Sequence, residues 1–374
     1  MILQRDVQRR IESHLFKGKA IVIYGARQTG KTTLARLIQQ NYADDAQYYN
    51  CDEIDIRQAF GRKTVTELRP LVGSKRLVIL DEAQRVEDIG LTIKIMVDNF
   101  KDVQVVATGS SAFELSDKIK ESLTGRAYEF HLYPFSMREL TALYAPHELP
   151  RMINDRMIFG MYPEVVFDND QELLGQLADT YLYKDILAYQ NIKSHDVLIR
   201  LLQALALQIG QEVSYNELGS LVGIDKKTVE SYIGILEKAF IIFRLSPFSR
   251  NLRNELKKLR KIYFYDTGIR NALINNFNPP NLRQDTGALF ENFLIAERIK
   301  QNSNLGRRRN IYFWRTHQQK EIDYIEEAGG ELKGFEFKTA RGKYKPPREF
   351  LKAYPNSTVE LINRENCIEF VKQQ

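Results

Sequence analysis

Gly25, Ala26, Arg27, Gln28, Thr29, Gly30, Lys31 and Thr32 form the octapeptide GARQTGKT. The spacing GxxxxGK[ST] suits the cradling of a phosphate chain. Glycines let successive backbone N–H groups curl inward, and a following helix N-terminus adds partial positive charge. Lys31 would carry its ammonium to the outer phosphates. Thr32, followed by Thr33, would place a hydroxyl on Mg²⁺, an ion that keeps several waters and takes few protein ligands. Further on, Asp81 and Glu82 close the apolar run LVIL. Asp81 suits an outer-sphere magnesium ligand, and Glu82 a base that polarises water toward the terminal phosphate. After VQVVATG, Ser110 or Ser111 is placed to sense that phosphate. Arg126, in LTGRAYEF, is placed to stabilise charge on the transferring group, in cis or on a neighbouring subunit; an ordinary surface arginine is the competing reading. Together these residues read as an ATP and magnesium site that releases ADP and phosphate.

A second constellation lies in the last third. Glu291 is near the start of a helical pattern, Asp323 interrupts an apolar strand pattern, and Glu336-Phe337-Lys338 puts an acid and a base on one strand face. Such a set could bind a second divalent ion, Mg²⁺ or Mn²⁺, through Glu291, Asp323 and Glu336. Lys338 would then orient or deprotonate the attacking water at a phosphodiester. Salt-bridged strand residues without activity are the alternative.

The elements that must position these groups are legible as patterns. AIVIY (20–24) and LVIL (77–80) read as buried parallel strands, each ending where its motif begins. Val7, Ile11 and Leu15 recur at helical spacing and read as a surface helix. From Leu198 the period becomes helical over three segments, with Gly223-Ile224-Asp225 between the last two and an apolar strand, FIIFRLSPF, after them. That is the outline of a helix-turn-helix with one arm of a wing. Its last helix would expose Lys226, Lys227, Thr228, Ser231 and Tyr232 and bury Val229, Ile233 and Leu236. DNA contact and plain scaffolding both stand for it.

The chain has 374 residues, 43% of them hydrophobic and 27% charged, which excludes a disordered or collagen-like chain and leaves room for two or three domains. Cys51 and Cys367 are far apart and show no zinc spacing, and no apolar run is long enough to cross a bilayer. A cytoplasmic protein without export or membrane association is expected. The net charge of +6 is unevenly spread: residues 1–246 hold 30 Lys and Arg against 33 Asp and Glu, and residues 247–374 hold 24 against 15. A basic C-terminal third fits a polyanion partner or a solvated face. Its candidate phosphate contacts are Arg250, Arg253, Lys257 and Lys258 in RNLRNELKKLRK and Arg307, Arg308 and Arg309 in GRRRN. A solvated hinge is the competing reading for the first stretch.

The phrases GARQTGKTTL, LDEAQ, TGSSAFEL, LTGRAYEFHLYPFSMREL and YPEVVFDND resemble AAA-type P-loop ATPases over about residues 1–190. More narrowly, they resemble a prokaryotic family in which such an ATPase precedes a C-terminal domain of unknown function. The resemblance implies a sheet of strand order 5-1-4-3-2 and a small helical lid. Residues 285–345 resemble PD-(D/E)XK nucleases, most closely archaeal Holliday-junction resolvases, with Ile322 where the motif name has Pro. The expected fold is therefore α/β: a P-loop AAA-type core at 1–135, a helical lid at 136–194, a winged-helix domain at 195–248 and a restriction-endonuclease-like α/β domain at 249–374. The expected function is ATP-driven binding and remodelling of branched or junction DNA, with cleavage open, by a homo-oligomer. The rival is a regulatory ATPase whose C-terminal domains bind protein partners.

Overall fold

Ala20–Tyr24 forms β1, buried along its whole length. It is one of five strands in a parallel sheet described by a computed structural model covering residues 3–109, 121–181, 194–248, 260–316, 318–342 and 344–372. The others are β2 (Ala46–Asn50), β3 (Leu77–Asp81), β4 (Gln104–Gly109) and β5 (Ala127–His131). Their order, β2-β3-β4-β1-β5, is the one the ATPase resemblance implies.

The unbroken apolar runs follow from burial on both faces. Val22 and Tyr24 join Val78, Leu80, Val105 and Ala107 in one core, while Ile21 and Ile23 join Ile79, Val106, Leu34 and Ile38 in the other. Each such side chain stabilises the fold by roughly 1.5–3 kcal/mol on burial. The N-terminal helix Asp6–Glu12 packs Val7 and Ile11 into the second core, so it covers a face of the sheet.

The chain divides into two compact units, one built on residues 1–135 and one on most of the remainder. Segment 136–194, expected as a lid of the nucleotide domain, clusters with the second unit. Buried polar groups on 266–271 explain this grouping. Asn271 Nδ2 donates to the carbonyls of Met157 (3.1 Å) and Ile158 (2.8 Å), and Asp266 accepts the Met161 N–H at 2.7 Å. A Cβ added at Gly268 would lie 2.3 Å from the Phe159 carbonyl oxygen, so only glycine permits this approach.

The second unit holds a mixed sheet of seven strands among the described residues: β6 (Glu212–Val213), β7 (Ile242–Pro247), β8 (Arg260–Phe264), β9 (Asn310–Arg315), β10 (Glu321–Ala328), β11 (Glu331–Phe337) and β12 (Ser357–Ile362). Their order is β12-β11-β10-β9-β7-β8-β6. The boundary expected between 248 and 249 therefore does not separate two folds. β8 lies between β7 and β6, and β7 pairs in parallel with β9 through Ser246 and Pro247. Local periodicity carries no information about which distant strand satisfies an edge. Gly329 and Gly330, at φ +59° and +83°, make the turn between β10 and β11. The β10–β9 register shifts between Ile322 and Ile325, and that bulge brings two isoleucines three positions apart into one core cluster.

Candidate functional site

β1 ends at Tyr24 and the chain turns at once into the glycine loop. Leu132, just past β5, donates its N–H to the Tyr24 carbonyl at 2.7 Å, and a Cβ on Gly25 would fall 2.2 Å from the Leu132 oxygen. Gly30 has φ +92° and opens the helix Lys31–Gln40. Arg5 braces the loop from the N-terminal helix: its guanidinium donates to the carbonyls of Thr29 and Tyr133, each at 2.7 Å. Thr29 is fully buried and donates to the Ala26 carbonyl at 2.9 Å.

Lys31 is buried, its Nζ donating to the carbonyls of Gly25 (3.1 Å) and Ala26 (2.6 Å). The ammonium is thus held inside the loop, where phosphate oxygens would exchange with those carbonyls. Asp81, only 2% exposed, receives three hydroxyl donors: Thr32 at 2.7 Å, Tyr48 at 2.6 Å, and Thr108. Burial, the hydrogen bond to Asp81 and the charge of Asp81 push the Tyr48 phenol upward, so it remains a donor. Thr32 and Asp81 together offer the hard oxygens that Mg²⁺ takes, and so they fit that ion.

Glu82 has φ +53°, a costly conformation for a residue with a Cβ. Its N–H is held by Thr108 Oγ1 at 3.0 Å, and its carboxylate accepts from Gln84 at 2.5 Å. Burial, with the charge of Asp81, pushes the neighbouring Cys51 thiol up to about 12, which leaves it inert. Tyr48, Thr108, Gln84 and Arg5 were not nominated from sequence. Thr108 had a signal, as the last side chain of VQVVATG before the glycine; Tyr48 had none, because only the β2–β3 pairing brings it to Asp81. Ser110 and Ser111 lie outside the described residues.

Arg126 lies elsewhere. β1 and β5 run parallel with Ala20 opposite Ala127 and Tyr24 opposite His131, so Arg126 sits at the far edge of the sheet from the loop. At about 3.3 Å per residue the separation is roughly 16 Å, beyond the reach of its side chain. Its Nε instead meets Asp98 Oδ1 at 2.8 Å. The geometry therefore does not carry the action in cis on this chain's own nucleotide.

The second constellation also forms, but around a lysine. β8 supplies Lys261 and Tyr263, the helix Thr286–Asn304 supplies Glu291, and β10 supplies Glu321 and Asp323. Lys261 Nζ lies 2.5 Å from Glu321, 3.3 Å from Glu291 and 3.9 Å from Asp323, and Tyr263 donates to Glu291 at 2.5 Å. Burial lowers the Lys261 ammonium's affinity for its proton, but Glu291, Asp323 and Glu321 outweigh it and the net shift is upward. Asp323 is pushed well up by burial and by Glu291, with Lys261 opposing. Glu336 is pushed up by burial, while Lys338, 3.5 Å away, opposes. No group of three or more His, Cys, Asp or Glu among the described residues is arranged to hold a metal ion. Where the sequence suggested a metal set of Glu291, Asp323 and Glu336, an ammonium, Lys261, sits beside Glu291 and Asp323.

Of the expected DNA contacts, Lys226 and Lys227 are exposed, as are Arg308 and Arg309, while Arg307 is half-buried. Tyr232 is buried with Val229, Ile233 and Leu236, contrary to its expected exposure: the buried face of this helix is wider than one narrow stripe. Asp225 caps this helix, accepting the Lys227 N–H at 2.8 Å, the Thr228 N–H at 3.1 Å and the Thr228 hydroxyl at 2.6 Å. Arg250, Arg253, Lys257 and Lys258 lie outside the described residues. Lys261, counted with that basic stretch in the sequence, is buried in the carboxylate cluster.

A strand–glycine loop–helix with a hydroxyl-ringed aspartate at the end of a parallel strand defines a P-loop ATPase domain, and residues 17–141 match a family model described as an AAA domain. The first unit is thus a P-loop ATPase domain of AAA type. Residues 150–280 and 286–371 match two further models, each described as a domain of unknown function (DUF8612 and DUF4143). The chain is 25% identical to an uncharacterized protein of Mycobacterium tuberculosis over 346 residues, covering 90% of this chain and 74% of that protein. It is also 25% identical to an uncharacterized protein of Methanocaldococcus jannaschii over 349 residues, covering 85% and 74%. Among solved structures, the Walker-type ATPase PABY2304 of Pyrococcus abyssi matches with TM-score 0.48 at 17% identity, over 73% of this chain and 96% of that one. The Thermotoga maritima RuvB Holliday junction branch migration motor matches with TM-score 0.29 at 14% identity, over 68% and 95%. Both are partial likenesses. No described helix is long and apolar enough to cross a membrane.

Proposed function

We propose that this chain hydrolyses ATP with Mg²⁺ at the glycine loop and uses the cycle to act on DNA. The carrying observation is the Asp81 carboxylate, ringed by the Thr32, Tyr48 and Thr108 hydroxyls beside the loop that holds Lys31. In this reading the loop N–H groups and Lys31 take the phosphates of ATP, Thr32 and Asp81 hold Mg²⁺, and Glu82 orients the attacking water.

The DNA part rests on the second unit. Helix His195–Leu207, β6, helix Tyr215–Val222, the left-handed turn at Gly223 (φ +79°), helix Lys226–Lys238 and the β7–β8 hairpin follow the element order of a winged helix. Their strand order, β6-β8-β7, supports the same reading. Exposed Lys226 and Lys227 begin the helix that would face the duplex. The sequence between β7 and β8 carries Arg250, Arg253, Lys257 and Lys258.

ATP turnover should be measured without DNA and with duplex, single-stranded and four-way junction DNA at two salt concentrations. Stimulation that fades with salt supports the proposal. ATP turnover indifferent to every DNA, with no binding at low salt, would leave a regulatory ATPase whose second unit binds protein.

A further inference from the structure

The resemblance to PD-(D/E)XK nucleases implies a divalent ion among Glu291, Asp323 and Glu336, and the residues present do not fit one. Lys261 leaves the second position of β8 with its side chain 4% exposed and ends within 4 Å of three carboxylates from two other elements. Glu336 has its own lysine, Lys338, at 3.5 Å. Asp323 is also committed through Oδ2, which accepts the Phe337 N–H at 2.9 Å. To enter, a Mg²⁺ ion at about 2.0–2.1 Å from carboxylate oxygens would have to expel a buried ammonium from the carboxylates that balance it. Leaving a buried charge unpaired is strongly unfavourable.

We infer that Lys261 is the resident cation of this site, tethered by the chain in the position a metal would take, so that the domain is assembled without metal and does not cleave phosphodiesters. The arrangement explains how four acidic side chains persist around one buried pocket of the sheet: the ammonium supplies the charge that holds β8, β10 and the helix Thr286–Asn304 together. Lys338, half exposed at the end of β11, remains available to a phosphate as a simple contact.

The test uses the full-length, nucleotide-free protein titrated with Mn²⁺, with bound ion read by electron paramagnetic resonance and the thermal midpoint followed in parallel. The wild type and Asp323→Asn should bind the same amount of Mn²⁺, with no midpoint shift that depends on Asp323. Lys261→Met, which keeps the stem and removes the charge, should have a lower midpoint without metal, gain one bound Mn²⁺ and recover stability with it; Lys261→Met with Asp323→Asn should lose that ion. Mn²⁺ bound by the wild type and abolished by Asp323→Asn would overturn the inference. So would a folded Lys261→Met that binds no additional ion. Should Lys261→Met fail to fold, the comparison of wild type with Asp323→Asn decides alone.

Discussion

In the proposed cycle Lys31 and Glu82 divide the work at the loop, and their substitutions should fail differently. Lys31→Ala removes a buried ammonium held by two loop carbonyls, and no other described lysine contacts those oxygens. Nucleotide binding or turnover should be abolished, as read by fluorescent-nucleotide titration and phosphate release. Glu82→Gln keeps the Thr108 contact to its N–H and removes only the carboxylate charge. It should bind ATP with near-native affinity and turn it over at least tenfold more slowly, in line with a general base worth about 10²–10⁴; turnover at the wild-type rate would remove Glu82 from that role. A third residue titrates for structural reasons. Burial raises Asp285, but hydrogen bonds and charge from Arg283 and Arg270 outweigh it and hold it down at about 2. Its folded value lies below the unfolded one near 4, so the stabilisation is complete above about pH 4 and is lost as pH falls through about 2. Because the carboxylate is partly open to solvent, screening reduces this contribution; Asp285→Asn should cost about 1 kcal/mol at pH 7, seen as a lower urea midpoint, and the difference from wild type should shrink toward pH 2.

Two features of the parallel sheet make predictions of their own. At the loop end, Gly25 admits the crossing of the chain beyond β5, where an added Cβ would meet the Leu132 oxygen at 2.2 Å. Gly25→Ala must push that backbone aside, at a cost of about 1–3 kcal/mol from overpacking. It should both lower the thermal midpoint and weaken nucleotide binding, since the Tyr24–Leu132 hydrogen bond seats the loop. At the opposite edge, Arg126 is paired with Asp98 on the helix Ile89–Asn99. If it serves hydrolysis it does so from one copy to another. Arg126→Ala should then be slow alone and regain turnover when mixed with Lys31→Ala, because each supplies the part the other lacks. No recovery with demonstrated subunit exchange leaves Arg126 as a surface ion pair.

For the molecule as a whole, the charge distribution makes the DNA reading measurable. Residues 247–374 carry 24 Lys and Arg against 15 Asp and Glu, but part of that excess is internal. Lys261, Arg270, Arg283, Arg298 and Lys300 are buried and paired with carboxylates, so they contribute little to a surface field. Lys226, Lys227, Arg308 and Arg309, by contrast, are exposed and contribute to the field a polyanion would meet. Replacing Arg308 and Arg309 together by Ala should weaken binding to duplex DNA uniformly across sequences and reduce the slope of log affinity against log salt by about two. Fluorescence anisotropy over a salt series would show it, and an unchanged slope would place the contacts elsewhere.

The nucleotide site was legible because its chemistry is local. Gly25 through Thr32 needs only a strand before it and a helix after it, and Asp81 only the end of an apolar run, so spacing along the chain already determines the geometry. Strand order came with the resemblance rather than from periodicity. What the tertiary structure decided are the partners that arrive from far along the chain: Tyr48 and Thr108 at Asp81, Arg5 at Thr29, and the joining of β7 to β9 that merges two expected domains into one sheet. Lys261 is the sharpest case. In the sequence it ends a basic run and reads as a contact for phosphate; in the fold β8 turns it inward, where Glu291, Glu321 and Asp323 converge on it. Charge along a sequence fixes how many cations there are, but only pairing of strands fixes which face each one takes, and so whether it meets solvent or a buried carboxylate.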